Sequence, residues 1–314
     1  MIAALGAFDG FHRGHALLFE RAKEMAAPLG LEWGGVTFDT IPGHYLGIVK
    51  NVLFSPHERE LLRFFLGIPV LEVLEFEAIR QLPPNHFWKF LREKFVIDGI
   101  VVGRDFRFGY KQEGDALLLE RYCQEAGIPF QSVDLLRHVG VKISSSAIRN
   151  AMETGQCELA AKELGYPYFM LSGVLHGLGR GQGLGFPTAN LDISGAKLIP
   201  PDGVYSASVL VKGEWKAGAV SIGKNPTFKG ISDTRVEVFV VDYRGDLYDD
   251  TLLVFFLTRL RQQIQFRDAS QLTFQIKADV KHSAAAFKRD FDSLPGKYVG
   301  FKSAYSKIMS NLSG

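Results

Sequence analysis

The chain has 314 residues, 46% of them hydrophobic, and a formal net charge of +2. That length suits two domains, each with a core of its own, and so small a charge speaks against an electrostatic nucleic-acid or membrane binder. The two cysteines, Cys123 and Cys157, stand in helical stretches without partner spacing and read as free thiols. No run reaches about 18 uninterrupted apolar residues and the opening MIAALGAF has no basic leader segment, so a soluble cytoplasmic protein is expected.

The first half alternates strand and helix. IAALGAF reads as a strand, and HALLFERAKEMA as a helix with Leu18, Ala22 and Met25 at helical spacing, stopped by Pro28 and Gly30. LEWGGVTF is a second strand. SPHERELLRFFLG begins a helix with Ser55 as N-cap, Pro56 at its first position and Glu58 three residues after the cap. VLEVLEF, the helix PNHFWKFLREKF, the strand DGIVVG, the helix GDALLLERYCQEAG and the strand FQSVDLL follow, and SSSAIRNAMETG is a short helix opening on serines. Such alternation predicts a parallel sheet covered by helices on both faces. After about residue 165 the pattern turns β-rich, through FMLSGVLHG, GVYSASVLV, EWKAGAVSIG, TRVEVFVVDY and LLVFFLTRL, which predicts a small antiparallel barrel or sandwich. DASQLTFQIKADVKHSAAAFKRDF returns to helical periodicity.

GAFDGFHRGH places His12 and His15 where a strand runs through glycines into a helix. A helix N-terminus offers unpaired N–H groups and partial positive charge, and imidazoles beside it can stabilise charge building on a phosphoryl group. A plain βα turn with surface histidines, or a zinc site lacking a third ligand, would leave the same trace. ISSSAIR adds Ser144 and Ser145 at a second helix start and Arg149 to clamp a phosphate. Capping explains the serines alone but not both features in one α/β domain.

With those two segments, GAFDGFHRGH, VVGRDFRFGYKQEGD and ISSSAIRNAMETGQCELAAKELGYPY resemble the nucleotidylyltransferase module of bacterial bifunctional FAD synthetase. SGVLHGLGRGQGLGFPTANL, PPDGVYSASV, SIGKNPTF and VEVFVVDYRGDLYD resemble its riboflavin kinase module, in the family's order and over about residues 4–282. The resemblance implies a Rossmann-like domain at 1–167, a β-barrel kinase domain at 168–284 with a terminal helix, and a tail of unassigned role at 285–314. It implies ATP-dependent phosphorylation of riboflavin to FMN and adenylylation of FMN to FAD with release of pyrophosphate. The partners expected are these small molecules and Mg²⁺ carried with ATP, with no nucleic acid or membrane; self-association is left unread.

On the adenylyltransferase side the resemblance places Gly6, Phe8, Asp9 and Gly10 with His12 and His15 around ATP, and Asp105, Phe106 and Phe108 on the flavin side. FMN's phosphate is already ionised near pH 7 and needs no general base. On the kinase side, Gly177, Gly179, Gly181, Gly183 and Gly185 supply a phosphate-wrapping loop. Thr188 and Asn190, i and i+2 in an extended stretch, turn oxygens to one face and suit Mg²⁺. Pro187 and Asn225 are expected beside the bound substrates. Glu237, which by alternation shares a face with Arg235, Phe239 and Val241, matches the family's catalytic base; without the family it reads as a solvent-facing carboxylate. The family's Phe-x-Pro-His-Pro run is altered here to FDTIPGHYLG, with Phe38 kept, Pro42 present and His44 displaced. That departure keeps two alternatives open: a kinase-only enzyme with a ligand-binding N-terminal domain, and a non-catalytic flavin-binding protein.

Overall fold

The computed structural model describes residues 1–176, 186–226 and 232–313. It divides into two compact units, Met1–Ser145 and Ser146–Gly314. In the first unit the elements run β1 (Ile2–Leu5), α1 (Arg13–Ala26), β2 (Trp33–Phe38), α2 (Pro42–Tyr45), α3 (Pro56–Phe65), β3 (Val70–Leu74), α4 (Phe76–Ile79), α5 (Pro84–Lys94), β4 (Gly99–Gly103), β5 (Arg107–Phe108), β6 (Gly114–Asp115), α6 (Ala116–Glu125), β7 (Phe130–Val133), β8 (Arg137–His138) and β9 (Val141–Lys142). In the second they run α7 (Ser145–Glu153), α8 (Cys157–Leu164), β10 (Phe169–Leu175), β11 (Ala189–Leu191), β12 (Gly203–Val211), β13 (Glu214–Pro226), β14 (Ser232–Val240), β15 (Thr251–Arg261), α9 (Ala269–Ser293) and α10 (Pro295–Ser313).

The first unit is built on a five-stranded sheet of order β3-β2-β1-β4-β7, every neighbour parallel. The central strands β1 and β4 are buried almost throughout, as strands covered on both faces must be. Ala3, Leu5, Ile100 and Val102 pack with Phe87 and Leu91 of α5 and Leu119 and Cys123 of α6; α1 runs against β1, β2 and β4. The expected helix start at Ser55 is realised in full: Glu58 N–H donates to Ser55 Oγ (3.3 Å) and Ser55 N–H to Glu58 Oε2 (2.7 Å). Helix α1 stops where Pro28 and Gly30 foretell, a 3₁₀ turn over Ala27–Leu29 leading to Gly30 at φ 62°. Strand order reverses between β1 and β4, which opens a crevice at their carboxyl ends where α/β sheets bind ligands.

The second unit holds a closed barrel of order β10-β11-β14-β13-β12-β15, each neighbouring pair antiparallel. In β14 Val236, Val238 and Val240 are buried, while Arg235, Glu237 and Phe239 between them are half-buried on the outer face. Position 285, where the tail was expected to begin, lies in the middle of α9. The residues beyond α9 form α10, which is packed on the barrel: Phe301 is fully buried with its ring centroid 4.8 Å from Phe255 and 5.4 Å from Phe169. The Trp215 indole N–H donates to the Tyr298 carbonyl (3.0 Å).

Candidate functional site

In the first unit a cavity of about 220 Å³ opens at the switch point between β1 and β4. Its wall comes from the ends of three strands and two helix starts: Gly6 after β1, Asp105 and Phe106 after β4, Val133 of β7, His12 and His15 at α1, and Ser144 and Ser145 at α7. His12 is the N-cap of α1, its Nδ1 accepting the His15 backbone N–H at 3.2 Å. That bond leaves the ring's remaining proton on Nε2 while the imidazole is neutral. The two rings stack with centroids 3.6 Å apart. Burial, more than any neighbour, lowers the His12 pKa to about 4. His15 is likewise held well below the ordinary value, by burial first, then by His12, Arg59 and Lys142. Both imidazoles are therefore neutral at pH 7.

The turn that carries them is strained. Phe8 and Phe11 have left-handed backbones, at φ 45° and 40°, a conformation that costs on the order of 1–3 kcal/mol at a non-glycine residue. It is held because both rings are wholly buried, packed on each other and on Phe19 of α1. Gly6 is required: a Cβ there would lie 2.8 Å from the Phe8 ring. Of the residues expected around ATP, Gly6, His12 and His15 reach the cavity wall, whereas Phe8, Asp9 and Gly10 are buried away from it. The Asp9 carboxylate accepts the Leu53 N–H (3.0 Å). Phe8 and Asp9 thus support the turn from within. Arg149 is buried one turn beyond Ser145 on α7.

A second cavity of the same unit, about 350 Å³, is largely aromatic, lined by Phe38, Phe76, Phe87, Phe106, Phe108 and Tyr110 among others. Phe106 borders both cavities. Phe38 and Pro42 of the altered loop also lie in this wall, while the His44 ring is turned to the Val49 carbonyl (3.1 Å). The sequence named Phe106 and Phe108 for the flavin side but gave no sign of Phe76, Phe87 or Tyr110 in this wall. It also missed Lys142, which pairs with Asp105 at the rim of the first cavity. Arg59 was missed too; it is buried and donates to the Phe38 carbonyl (3.0 Å) and to Thr37 Oγ1 (2.8 Å), joining the ends of the strands that feed both cavities. The clue to Arg59 was a charged residue three before Leu62 on the apolar side of α3.

In the second unit a cavity of about 320 Å³ has Pro187, Thr188, Ala189, Val238 and Val240 on one side and the 243–248 segment on the other. Asn190 and Glu237 do not line it. They are directly opposed across the β11–β14 ladder, which puts their Cβ atoms about 4.5–5.5 Å apart on one face. That face is the half-buried outer one, where Phe239 meets Phe186 (5.4 Å). Gly177, Gly179, Gly181, Gly183 and Gly185 lie outside the described residues; Asn225 is in β13, and its side chain is outside the description.

Comparison with known proteins matches residues 1–147 to the FAD synthetase family and residues 164–287 to the riboflavin kinase family. The bifunctional riboflavin kinase/FMN adenylyltransferase of Listeria monocytogenes is 32% identical over 92% of this chain and 93% of its own. Those of Bacillus subtilis (34%; 91% and 92%) and Escherichia coli (33%; 88% and 90%) are similar. The chain belongs to this bifunctional family. It is a transferase of two activities, with the FAD synthetase match on the parallel sheet and the riboflavin kinase match on the barrel. A solved Streptococcus pneumoniae protein described as a macrolide-efflux protein shares the fold, with TM-score 0.81 and 31% identity over 90% of this chain and 93% of that one. Among the described residues no helix is long and apolar enough to cross a membrane.

Proposed function

We propose that the first unit adenylylates FMN across its two adjoining cavities, with the triphosphate of ATP in the one lined by His12 and His15 and the isoalloxazine in the aromatic one. The observation that carries this reading is Phe106, which borders both: a ligand with a flat aromatic end and a phosphate end spans them. The phosphate of FMN attacks the α-phosphorus directly, because it is already ionised. The chain's residues supply position and charge stabilisation. Neutral His12 presents Nε2–H as a donor, Ser144 and Ser145 offer hydroxyls at the start of α7, and Arg149 follows one turn on as the phosphate clamp.

In the second unit, ATP enters the cavity bordered by Thr188 with its triphosphate over the start of β11, and the ribityl end of riboflavin meets it beside Glu237, paired with Asn190 across the β11–β14 ladder, where Glu237 takes the proton of the attacking hydroxyl. The donor set suits Mg²⁺: a hydroxyl at Thr188 and an amide oxygen at Asn190 are oxygen ligands, and a hard ion completes its shell with phosphates and water. Bound there, the ion would neutralise triphosphate charge. We assign residues 1–167 to the adenylyltransferase domain, 168–284 to the kinase domain and Pro187 and Asn225 to substrate contact. Buried free thiols at Cys123 and Cys157, both pushed up to about 12 by burial, suit a cytoplasmic enzyme.

The deciding experiment supplies riboflavin, ATP and Mg²⁺ and separates FMN from FAD. The wild type should make both. His12→Ala should make FMN at the normal rate and FAD about 10²–10³ times more slowly, the usual effect of one lost donor at a developing oxyanion. Undiminished FAD formation by His12→Ala would remove the imidazoles from the mechanism, and FMN as sole product of the wild type would leave a kinase-only enzyme.

A further inference from the structure

The family match ends at residue 287, before α10 begins, yet α10 is bonded to the strand start that follows one wall of the second unit's cavity. Half of that cavity's wall is the 243–248 segment, in the loop between β14 and β15. The loop is bent at both feet, Asp242 and Asp249 having left-handed backbones at φ 54° and 62°. Its second foot is tied down at successive residues. Asp249 N–H donates to the Val174 carbonyl (3.3 Å) and Val174 N–H to the Asp250 carbonyl (2.9 Å). Asp250 pairs with Lys212 (2.7 Å), an exposed pair of little weight by itself. The Thr251 carbonyl accepts the hydroxyl of Tyr305, on α10, at 2.6 Å.

Tyr305 stands one turn beyond Phe301, whose burial against Phe169 and Phe255 fixes the height of α10 on the barrel. The helix is pinned a second time by Tyr298, whose hydroxyl meets Ser208 Oγ (2.8 Å) and Asp290 Oδ2 (2.6 Å). A rigid, twice-anchored helix thus places one hydroxyl on the backbone where the loop rejoins the barrel. Burial, then the nearby Asp250 carboxylate, pushes the Tyr305 phenol upward, so it remains a donor at neutral pH.

We infer that α10 is a strut for the kinase's nucleotide cavity, and that Tyr305 is a positioning residue which holds the 243–250 loop in its ATP-binding form. The inference rests on reading that cavity as the kinase's ATP site. Tyr305→Phe deletes the hydroxyl and keeps the ring. In riboflavin phosphorylation it should raise the KM for ATP roughly three- to ten-fold, the equivalent of one net hydrogen bond. The kcat, the thermal midpoint and the rate of FAD formation from added FMN should stay near wild type. An unchanged KM for ATP overturns the strut, as does a rise that comes with a matching fall in thermal midpoint and in FAD formation, which would mark Tyr305 as merely structural. Leu247→Trp, which fills the cavity directly, separates the two ideas. If it leaves the KM for ATP alone, the cavity reading fails and the strut with it; if it raises that KM while Tyr305→Phe does not, only the strut fails.

Discussion

Glu237 shows how a single residue takes its setting from its neighbours. It is half-buried on the outer face of β14, with Asn190 opposite it on one side and Ser221 on the other. In the role proposed for it, proton acceptor of the kinase step, it would contribute only as the ribityl hydroxyl attacks. Glu237→Gln keeps the shape and should slow FMN formation by about 10²–10⁴ with riboflavin binding little changed, by initial rates and fluorescence titration; a variant above half the wild-type rate removes the base role. His12 makes a second prediction, on stability. Its folded pKa of about 4 lies below the ordinary 6.5, so the unfolded chain binds this proton first. Its effect is nil above pH 6.5 and grows as pH falls toward 4, lowering unfolding free energy by up to about 3 kcal/mol. Urea unfolding of the first unit should weaken over that window, and His12→Gln should flatten the slope. A His12→Gln profile parallel to wild type would show that the imidazole is not buried neutral.

At the scale of elements, α3 links a local signal to the site. Its capping box satisfies the first turn, and its next residue, Arg59, joins the ends of β1 and β2 by reaching the Phe38 carbonyl, Thr37 Oγ1 and the Ala7 carbonyl. Ser55→Ala should destabilise the first unit by about 1 kcal/mol, seen as a lower urea midpoint at unchanged slope, and should loosen FMN binding before it affects FMN formation. A midpoint equal to wild type would mean that packing alone holds the helix start. The elements were legible where the pattern was local: Leu18 and Ala22 recur at helical spacing, and the S-P-x-E run names its own cap. Phe8, Asp9 and α10 were not. Nothing in GAFDGFH distinguishes a phenylalanine that faces ligand from one that folds under the turn, and α10 acquires its place through rings contributed by β10, β13 and β15 and through the hydroxyls of Tyr298 and Tyr305.

Over the whole molecule, the two family matches fall on separate stretches, residues 1–147 and 164–287, and on the proposed reading each activity should be lost alone. Thr188→Val keeps the volume and removes a hydroxyl from the kinase cavity. FMN formation should fall and demand more Mg²⁺, while FAD formation from added FMN continues at its former rate; equal loss of both, in a paired assay, would point to one shared site or to a misfolded chain.

By itself, the sequence determined the class of each half, the order of their main elements and the family, because periods of 3.6 and 2, caps, and runs such as GAFDGFHRGH and GFPTAN are written in consecutive residues. Only the tertiary structure decided what depends on residues far apart in the chain. It brought Phe38, Phe76, Phe87 and Phe106 around one cavity, set Asn190 opposite Glu237 across the β11–β14 ladder, and closed the barrel by pairing β10 with β15. Those outcomes turn on strand register and on which face a helix lays down; a one-residue slip of a strand would carry every one of its side chains to the opposite face.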